Sequence, residues 1–392
     1  MTDQLLQDLL TPERTLPIDA SDACLIGRAW YEGLGPCVVT CRDGQLLDLT
    51  ERFPTLTDVL RETDPAAAVR AAEGKAIASL ADALANSPTG NGTRLLAPAD
   101  LQPVKATGVT FVTSLLERVI EEQTQGDPAR AEQARTQIMA TIGGDIRSLV
   151  PGSAEAAALK EVLSARGAWS QYLEVGLGRD AELFTKAPPM ASVGTGAEVG
   201  VRSGSRWNNP EPEVVLAVGP DAHIKGACVG NDVNLRDYEG RSALLLGKAK
   251  DNNASCALGP FIRLSDKNFT LNDIRQAVVA VSVVGEDGFV LDDHSSMAEI
   301  SRDIEDLIAQ SMGETHDYPD GMMFFCGTMF APIKDRDAAG AGFTHKIGDV
   351  VTVSSERLGM IANRVNTAEK AGRWRYGLRD LMADLSARGA LG

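Results

Sequence analysis

From about residue 180 the chain changes character, and that change limits the fold more than any other feature. Short apolar runs (VVLAVG, IRLS, AVVAVSVVG, GMMFFCGT and GDVVTVSS) are separated by glycines and turns. Runs of that length, rich in Val, Ile and Phe, predict strands. One helix, SSMAEISRDIEDLIAQSM, is expected among them, with Met297, Ile300, Ile304, Leu307 and Ile308 at helical spacing. Upstream the pattern is mixed. Residues 18–50 predict a small antiparallel sheet with a hairpin at Arg42-Asp43-Gly44. Residues 56–86 read as helical through AAAVRAAEGKAIASLADALA, and the Pro-rich APADLQPVKATG at 97–108 reads as a linker. Residues 112–165 carry charged helical patterns, interrupted at Gly143-Gly144 and Pro151-Gly152. The expectation is an α+β protein. A small α/β domain spans 1–105, a helical lid or linker 106–170, and a β-rich domain 171–392.

Charge narrows the partners. Lys plus Arg total 38 against 54 Asp plus Glu, a net charge of −16. Such a chain repels phosphate backbones, so no nucleic-acid partner is expected. The start, MTDQLLQDLLTPERTLP, lacks the basic flank and apolar run of a signal peptide. No apolar stretch reaches the roughly 18 to 20 residues that cross a bilayer. These features predict a cytoplasmic protein with no membrane partner. The six cysteines form no Cys-x-x-Cys pair, and Cys37 and Cys41 share one face of an expected strand, so buried free thiols are predicted.

The stretch WNNPEPEVVLAVGPDAHIKGACVGNDVNLRD, Trp207 to Asp237, carries the most chemistry. Alternate side chains of a strand share a face, which puts Glu211 and Glu213 together with Val215 and Ala217. Two carboxylates on a half-buried face repel each other unless a positive group lies between them. A hard divalent cation with oxygen ligands would serve, and Asp232 in Gly-Asn-Asp is a natural third ligand. The plain alternative is a pair of solvated edge charges near Arg236 or Lys225.

Further candidates are individually weaker. Lys186 in ELFTKAPP and Lys250 in GKAKDNNASCALGP each follow an apolar stretch. A cation beside a metal–carboxylate site stabilises a substrate carboxylate or an enolate oxygen, whereas a surface lysine is the commoner outcome. Glu182 shares a strand face with Phe184 and Lys186 and is a candidate general base or acid, or else an exposed strand-start glutamate. Gly327-Thr328 offers a backbone N–H and a hydroxyl to an anion, or forms a plain strand-end turn. The four histidines are scattered, and Asp293 or Ser295 is expected to cap the helix that follows.

In order and spacing, ELFTKAPPMASVG, EPE, GNDVNLRD, KDNNASCALGP, SSM before a helix, GMMFFCGT and IGDVVTVSSERLGMIANRV resemble the fumarylacetoacetate hydrolase superfamily over about 180–365. The resemblance implies a mixed β-roll or barrel as the catalytic domain. It also implies Mg²⁺ held by Glu211, Glu213 and Asp232, with Mn²⁺ as an alternative ion. Hydrolases of the family carry a Tyr-x-x-His-x-x-Glu-like lid whose histidine activates water. The corresponding GVTFVTSLLERVIEEQ, residues 108–123, has no histidine. That departure is similar to the branch that dehydrates 2-keto-3-deoxy sugar acids, as are the 19 residues from Glu213 to Asp232 and the 18 from Asp232 to Lys250.

The likeness therefore implies a hydro-lyase of pentose catabolism. Its expected reaction is Mg²⁺-dependent conversion of 2-keto-3-deoxy-D-xylonate, equivalently the D-arabinonate compound, to 2,5-dioxopentanoate. Glu182 would remove a C3 proton, Lys250 and Thr328 would orient the carboxylate, and Lys186 would stabilise developing charge. Ser295 and Ser296 would offer hydroxyl contacts, and the assembly would be a dimer or tetramer of identical chains. Two rivals stand beside it. One is an acylpyruvate hydrolase or oxaloacetate decarboxylase in which Glu117, Glu121 or Glu122 replaces the missing histidine. The other is a non-catalytic acidic binding module.

Overall fold

The computed structural model describes residues 2–125, 127–131, 133–136, 149–330, 332, 334–338 and 342–391. The expected break at Gly143-Gly144 lies outside the described residues. In chain order the strands are β1 (Leu25–Tyr31), β2 (Gly35–Arg42), β3 (Gln45–Asp48), β4 (Lys75–Ser79), β5 (Arg94–Leu96) and β6 (Val104–Thr107). Then follow β7 (Leu183–Ala187), β8 (Glu198–Val201), β9 (Asn208–Asn209), β10 (Pro212–Val218), β11 (Ile224–Asp232) and β12 (Asn234–Leu235). The rest are β13 (Cys256–Leu264), β14 (Val278–Val284), β15 (Val290–Ser296), β16 (Met322–Phe325), β17 (Val350–Ser355) and β18 (Gly359–Thr367).

Two large sheets carry the fold. The first runs β4-β3-β2-β1-β13-β11-β10-β16-β6-β7, with β5 on β1, and the second runs β15-β14-β17-β18-β8. The α+β class holds, and neither sheet closes, so the expected barrel is not formed among the described residues. Apolar alternation explains the stacking. Val214, Leu216 and Val218 of β10 share one core with Val279, Val281 and Val283 of β14 and with Val351 and Val353 of β17. The opposite face of β10, through Val215 and Ala217, packs into a second core with Phe325 and the helical residues Leu56, Val59 and Leu60. Each fully buried Val, Leu or Phe among them contributes roughly 1.5–3 kcal/mol.

The expected hairpin forms. Asp43 and Gly44 both take positive φ, 49° and 72°, between the paired Arg42 and Gln45. That is the backbone of a tight two-residue hairpin turn, whose twist matches its strands. All six cysteines are free, and Cys37 and Cys41 pack in the same core.

Three local expectations are corrected by long-range pairing. The Ala-rich stretch is not one helix. Helices Pro65–Ala71 and Leu80–Asn86 flank β4, which pairs with β3 at the sheet edge. The 97–108 segment is not a linker, because its β6 lies between β16 and β7 in the sheet. Its strand partners lie about 80 and 220 residues away, beyond any local pattern. The expected helix at SSM begins late. Ser295 and Ser296 end β15, paired with Val279 and Val278, and the α-helix covers only Ile304–Ser311. Asp293 likewise sits in β15 opposite Val281 rather than at a helix start.

Helices Val112–Thr124, Ala154–Ala165 and Gln171–Leu177 cluster beside the first sheet. They share their own small core of Leu115, Val119, Ile120, Leu163, Tyr172 and Leu173.

Candidate active site

The antiparallel register of β10 and β11 builds the centre. Pro212 pairs with Asn231 and Glu213 with Gly230. Beyond them the Glu211 N–H donates to Asn231 Oδ1 at 3.0 Å, and the Asp232 N–H donates to the Glu211 carbonyl at 3.0 Å. Glu211, Glu213 and Asp232 are thereby gathered with one oxygen of each within 4.8 Å of the others. Glu211 and Glu213 are 0% exposed. The reading of solvated edge charges is overturned, and Lys225 is engaged elsewhere with Asp221 at 2.7 Å.

Cations surround the triad. Lys250 ends the short helix Leu246–Lys250, and its Nζ contacts Glu211 Oε2 and lies 2.9 Å from Asp232 Oδ2. Lys186 projects from β7, fully buried, with its Nζ 2.6 Å from Asp232 Oδ1. It also donates to the carbonyls of Val233 at 3.0 Å and Lys250 at 2.5 Å. Arg118, from the helix Val112–Thr124, holds Glu211 Oε1 with Nη2, while Nη1 lies 2.7 Å from Glu121 Oε2 and 3.0 Å from Glu239 Oε2.

These contacts explain the charge states. Burial opposes the Glu211 charge, yet Arg118 and Lys250 outweigh it and bring its pKa down to about 2. Burial also opposes the Lys250 ammonium, but Asp232, Glu211 and Glu239 overcome it and push its pKa up. Glu213 goes the other way. Burial, then Asp232 and Glu211 beside it, push its carboxyl well above the usual range.

The set fits a hard divalent cation. All three donors are carboxylate oxygens, which suits Mg²⁺ or Mn²⁺. Burial and the adjacent Asp232 and Glu211 oppose ionisation of Glu213. A cation among the three would relieve that repulsion.

Gly327 and Thr328 follow β16. The Gly327 N–H donates to Glu213 Oε2 at 2.7 Å, and the Thr328 hydroxyl to Glu213 Oε1 at 3.4 Å. Glu182 precedes β7 and is half-buried, sharing the strand face of Phe184 and Lys186. Lys250 Nζ lies 5.6 Å from the Phe184 ring centre, so this face looks toward the triad. Burial, then Glu239, raise the Glu182 pKa to about 7. Ser295 and Ser296 belong to the second sheet, and the Ser296 hydroxyl accepts the Ala298 N–H. Among the described contacts neither serine meets the triad.

Sequence reasoning missed Arg118, Arg236 as a lid anchor, Glu239 and Tyr172. Arg236 binds Glu121 at 2.6 Å and Glu117 at 3.0 Å, and Arg135 binds Glu117 at 3.0 Å. Glu117 and Glu121, candidates for water activation, are thus held in ion pairs. A signal existed: Arg118 and Glu121 sit three apart on one helical face.

Residues 177–366 match the family described as Fumarylacetoacetate (FAA) hydrolase C-terminal. The chain is 31% identical over 191 residues to a 2-dehydro-3-deoxy-D-arabinonate dehydratase of Saccharolobus solfataricus, covering 48% of this chain and 60% of that protein. It is 29% identical over 198 residues to a probable 2-keto-3-deoxyxylonate dehydratase of Haloferax volcanii, covering 50% of this chain and 64% of that one. The chain thus spans less than two thirds of the length of either relative. Among solved structures, 2-keto-3-deoxy-D-arabinonate dehydratase in its apo form superposes with a TM-score of 0.61 at 20% identity, over 88% of this chain and 99% of that one. The same enzyme complexed with magnesium and 2,5-dioxopentanoate gives 0.60 at 20% identity over the same shares. The fold is therefore that of these enzymes.

Proposed function

We propose that the protein, whose residues 177–366 match the Fumarylacetoacetate (FAA) hydrolase C-terminal family, is a hydro-lyase that dehydrates a 2-keto-3-deoxypentonate to 2,5-dioxopentanoate with Mg²⁺ as its cofactor. The buried Glu211, Glu213 and Asp232 cluster carries this reading. The names of both relatives support the substrate class. So does the product bound in the magnesium complex of the structural neighbour.

A divalent cation held by the triad would polarise the carbonyl of a 2-keto acid and acidify its C3 protons. The protein's own groups do the rest. Lys250 and Thr328 would orient the substrate carboxylate at the triad. Lys186 neutralises Asp232 and keeps the buried charge balanced. Glu182, with its pKa near 7, is poised to take a C3 proton at neutral pH. The absence of a lid histidine, with Glu117 and Glu121 tied up in ion pairs, favours elimination over water attack.

We also read the chain as one copy of a homo-oligomer. Trp374, Leu378, Met382 and Leu391 are large apolar side chains left exposed near the chain end, where light scattering should reveal a dimer or tetramer. No described helix is long and apolar enough to cross a membrane. Buried free thiols suit a reducing compartment, which supports a cytoplasmic location.

Product analysis tests the function. The protein is incubated with Mg²⁺ and 2-keto-3-deoxy-D-xylonate, and separately with an acylpyruvate, each with and without EDTA. EDTA-sensitive 2,5-dioxopentanoate is expected. Pyruvate released from the acylpyruvate, with no dioxopentanoate, would overturn the reading.

A further inference from the structure

Beside the triad lies a cavity of about 130 Å³, lined by Gln171, Tyr172, Val175, Glu182, Glu239, Ala243 and Leu246. It is smaller than a drug-sized pocket of about 300 Å³ or more and suits a short carbon tail. Its walls lead back to the metal-binding centre. Leu246 opens the helix that ends in Lys250. Glu182 leads into the strand that carries Lys186. Glu239 lies 3.0 Å from Arg118, which also holds Glu211. Two carboxyl groups thus line one small cavity, next to where the keto acid end would be held.

We propose that Glu239 is the acid that protonates the departing C4 hydroxyl, working across this cavity from Glu182, the base at C3. The assignment rests on the dehydratase reading and deepens it. Glu239 is buried, and the charged groups around it are Arg118, Lys250, Glu121 and Glu211, with Glu182 and the Tyr172 phenol on the cavity wall. Burial raises its pKa in spite of Arg118 and Lys250. A carboxyl that holds its proton more tightly than usual can hand it to a leaving group, in the pattern of paired carboxyls with divided roles.

The proton count closes. Glu182 takes one C3 proton, the C4–O bond breaks, and the Glu239 proton leaves with the hydroxyl as water, giving the 3,4-unsaturated 2-keto acid. Glu239, now a carboxylate, takes a C5 proton. The electron pair of that C–H bond forms C4=C5 while the former C3=C4 pair takes the proton back from Glu182 at C3. Both glutamates return to their starting states. The C5 enol then loses its hydroxyl proton and gains one at C4 by exchange with water, giving the aldehyde.

Three substrates separate the roles. 2-Oxobutanoate in D₂O reports C3 proton removal by NMR. 2-Keto-3-deoxy-D-xylonate requires a protonated leaving group, and 4-fluoro-2-oxopentanoate loses fluoride without one. Glu239→Gln should slow loss of hydroxyl by about a hundredfold or more. It should leave C3 exchange and fluoride release within about fivefold of wild type. Glu182→Gln should lose all three. Retained hydroxyl elimination in Glu239→Gln overturns the proposal. So does parallel loss of fluoride release, which would mean a role other than acid catalysis. A wild-type protein inert toward all three substrates overturns the dehydratase reading itself, and this assignment with it.

Discussion

The Asp232 N–H donates to the Glu211 carbonyl at 3.0 Å, one step beyond the last paired residues of β10 and β11. This backbone bond brings two carboxylates from separate strands to one point. Their side chains reach a cluster that burial would make unfavourable without Lys250, Lys186 and Arg118. Register therefore sets the chemistry here, and the surrounding cations make it tolerable.

Mg²⁺ should stabilise the folded protein by mass action. At a hundred times Kd the gain is about 2.7 kcal/mol, read as a rise in melting temperature that EDTA reverses. Asp232→Asn should abolish the rise, because the cluster loses one of its three anionic ligands. A melting temperature indifferent to Mg²⁺ in the wild type would remove the metal site.

Lys186→Met should destabilise the protein by about 3–5 kcal/mol, since it strips a buried partner from Asp232. Urea denaturation measures this. Added Mg²⁺ should restore part of the loss by supplying positive charge at the same carboxylate.

Turnover should rise with pH through about 7, because Glu182 acts as a base only when ionised and its pKa is raised to about 7. The same shift gives stability the opposite slope. The folded state holds this proton more tightly than an ordinary glutamate of pKa 4.5. Its contribution to stability is present below about pH 4.5 and falls as the pH approaches 7. Glu182→Gln should flatten that segment of the stability profile and remove turnover, while the Mg²⁺ shift in melting temperature persists.

Gly108→Ala should lower turnover by about tenfold or more with little change in melting temperature. A Cβ at this position would lie 2.0 Å from Glu182 Oε2. The obstructed atom is the end of a flexible side chain, so the glutamate swings aside at small cost to the fold. Steady-state kinetics beside thermal melts check both halves.

Sequence and structure divide along the range of the physics. Glu-x-Glu on a strand and the Gly-Asn-Asp after the next apolar run are period-two signals, legible within a few residues. The Asp43-Gly44 turn is legible for the same reason, since both its residues tolerate positive φ. Lys186 and Lys250 were visible as lysines beside apolar runs, but their burial was not. It depends on Asp232, which lies 46 and 18 residues away from them in the chain. The 97–108 segment reads as a linker because two prolines precede a four-residue strand, and only β16 and β7 reveal it as sheet.

The amino-acid sequence by itself determined the β-rich character, three carboxylates that could share one site and Glu182 as a candidate. Each follows from residue type and short spacing. Tertiary structure alone decided that Arg118 and Glu239 join the site, that Ser295 and Ser296 stay in the other sheet, and that no barrel closes. Those outcomes turn on which distant strands pair and which helix packs over them, and no short-range periodicity encodes that pairing.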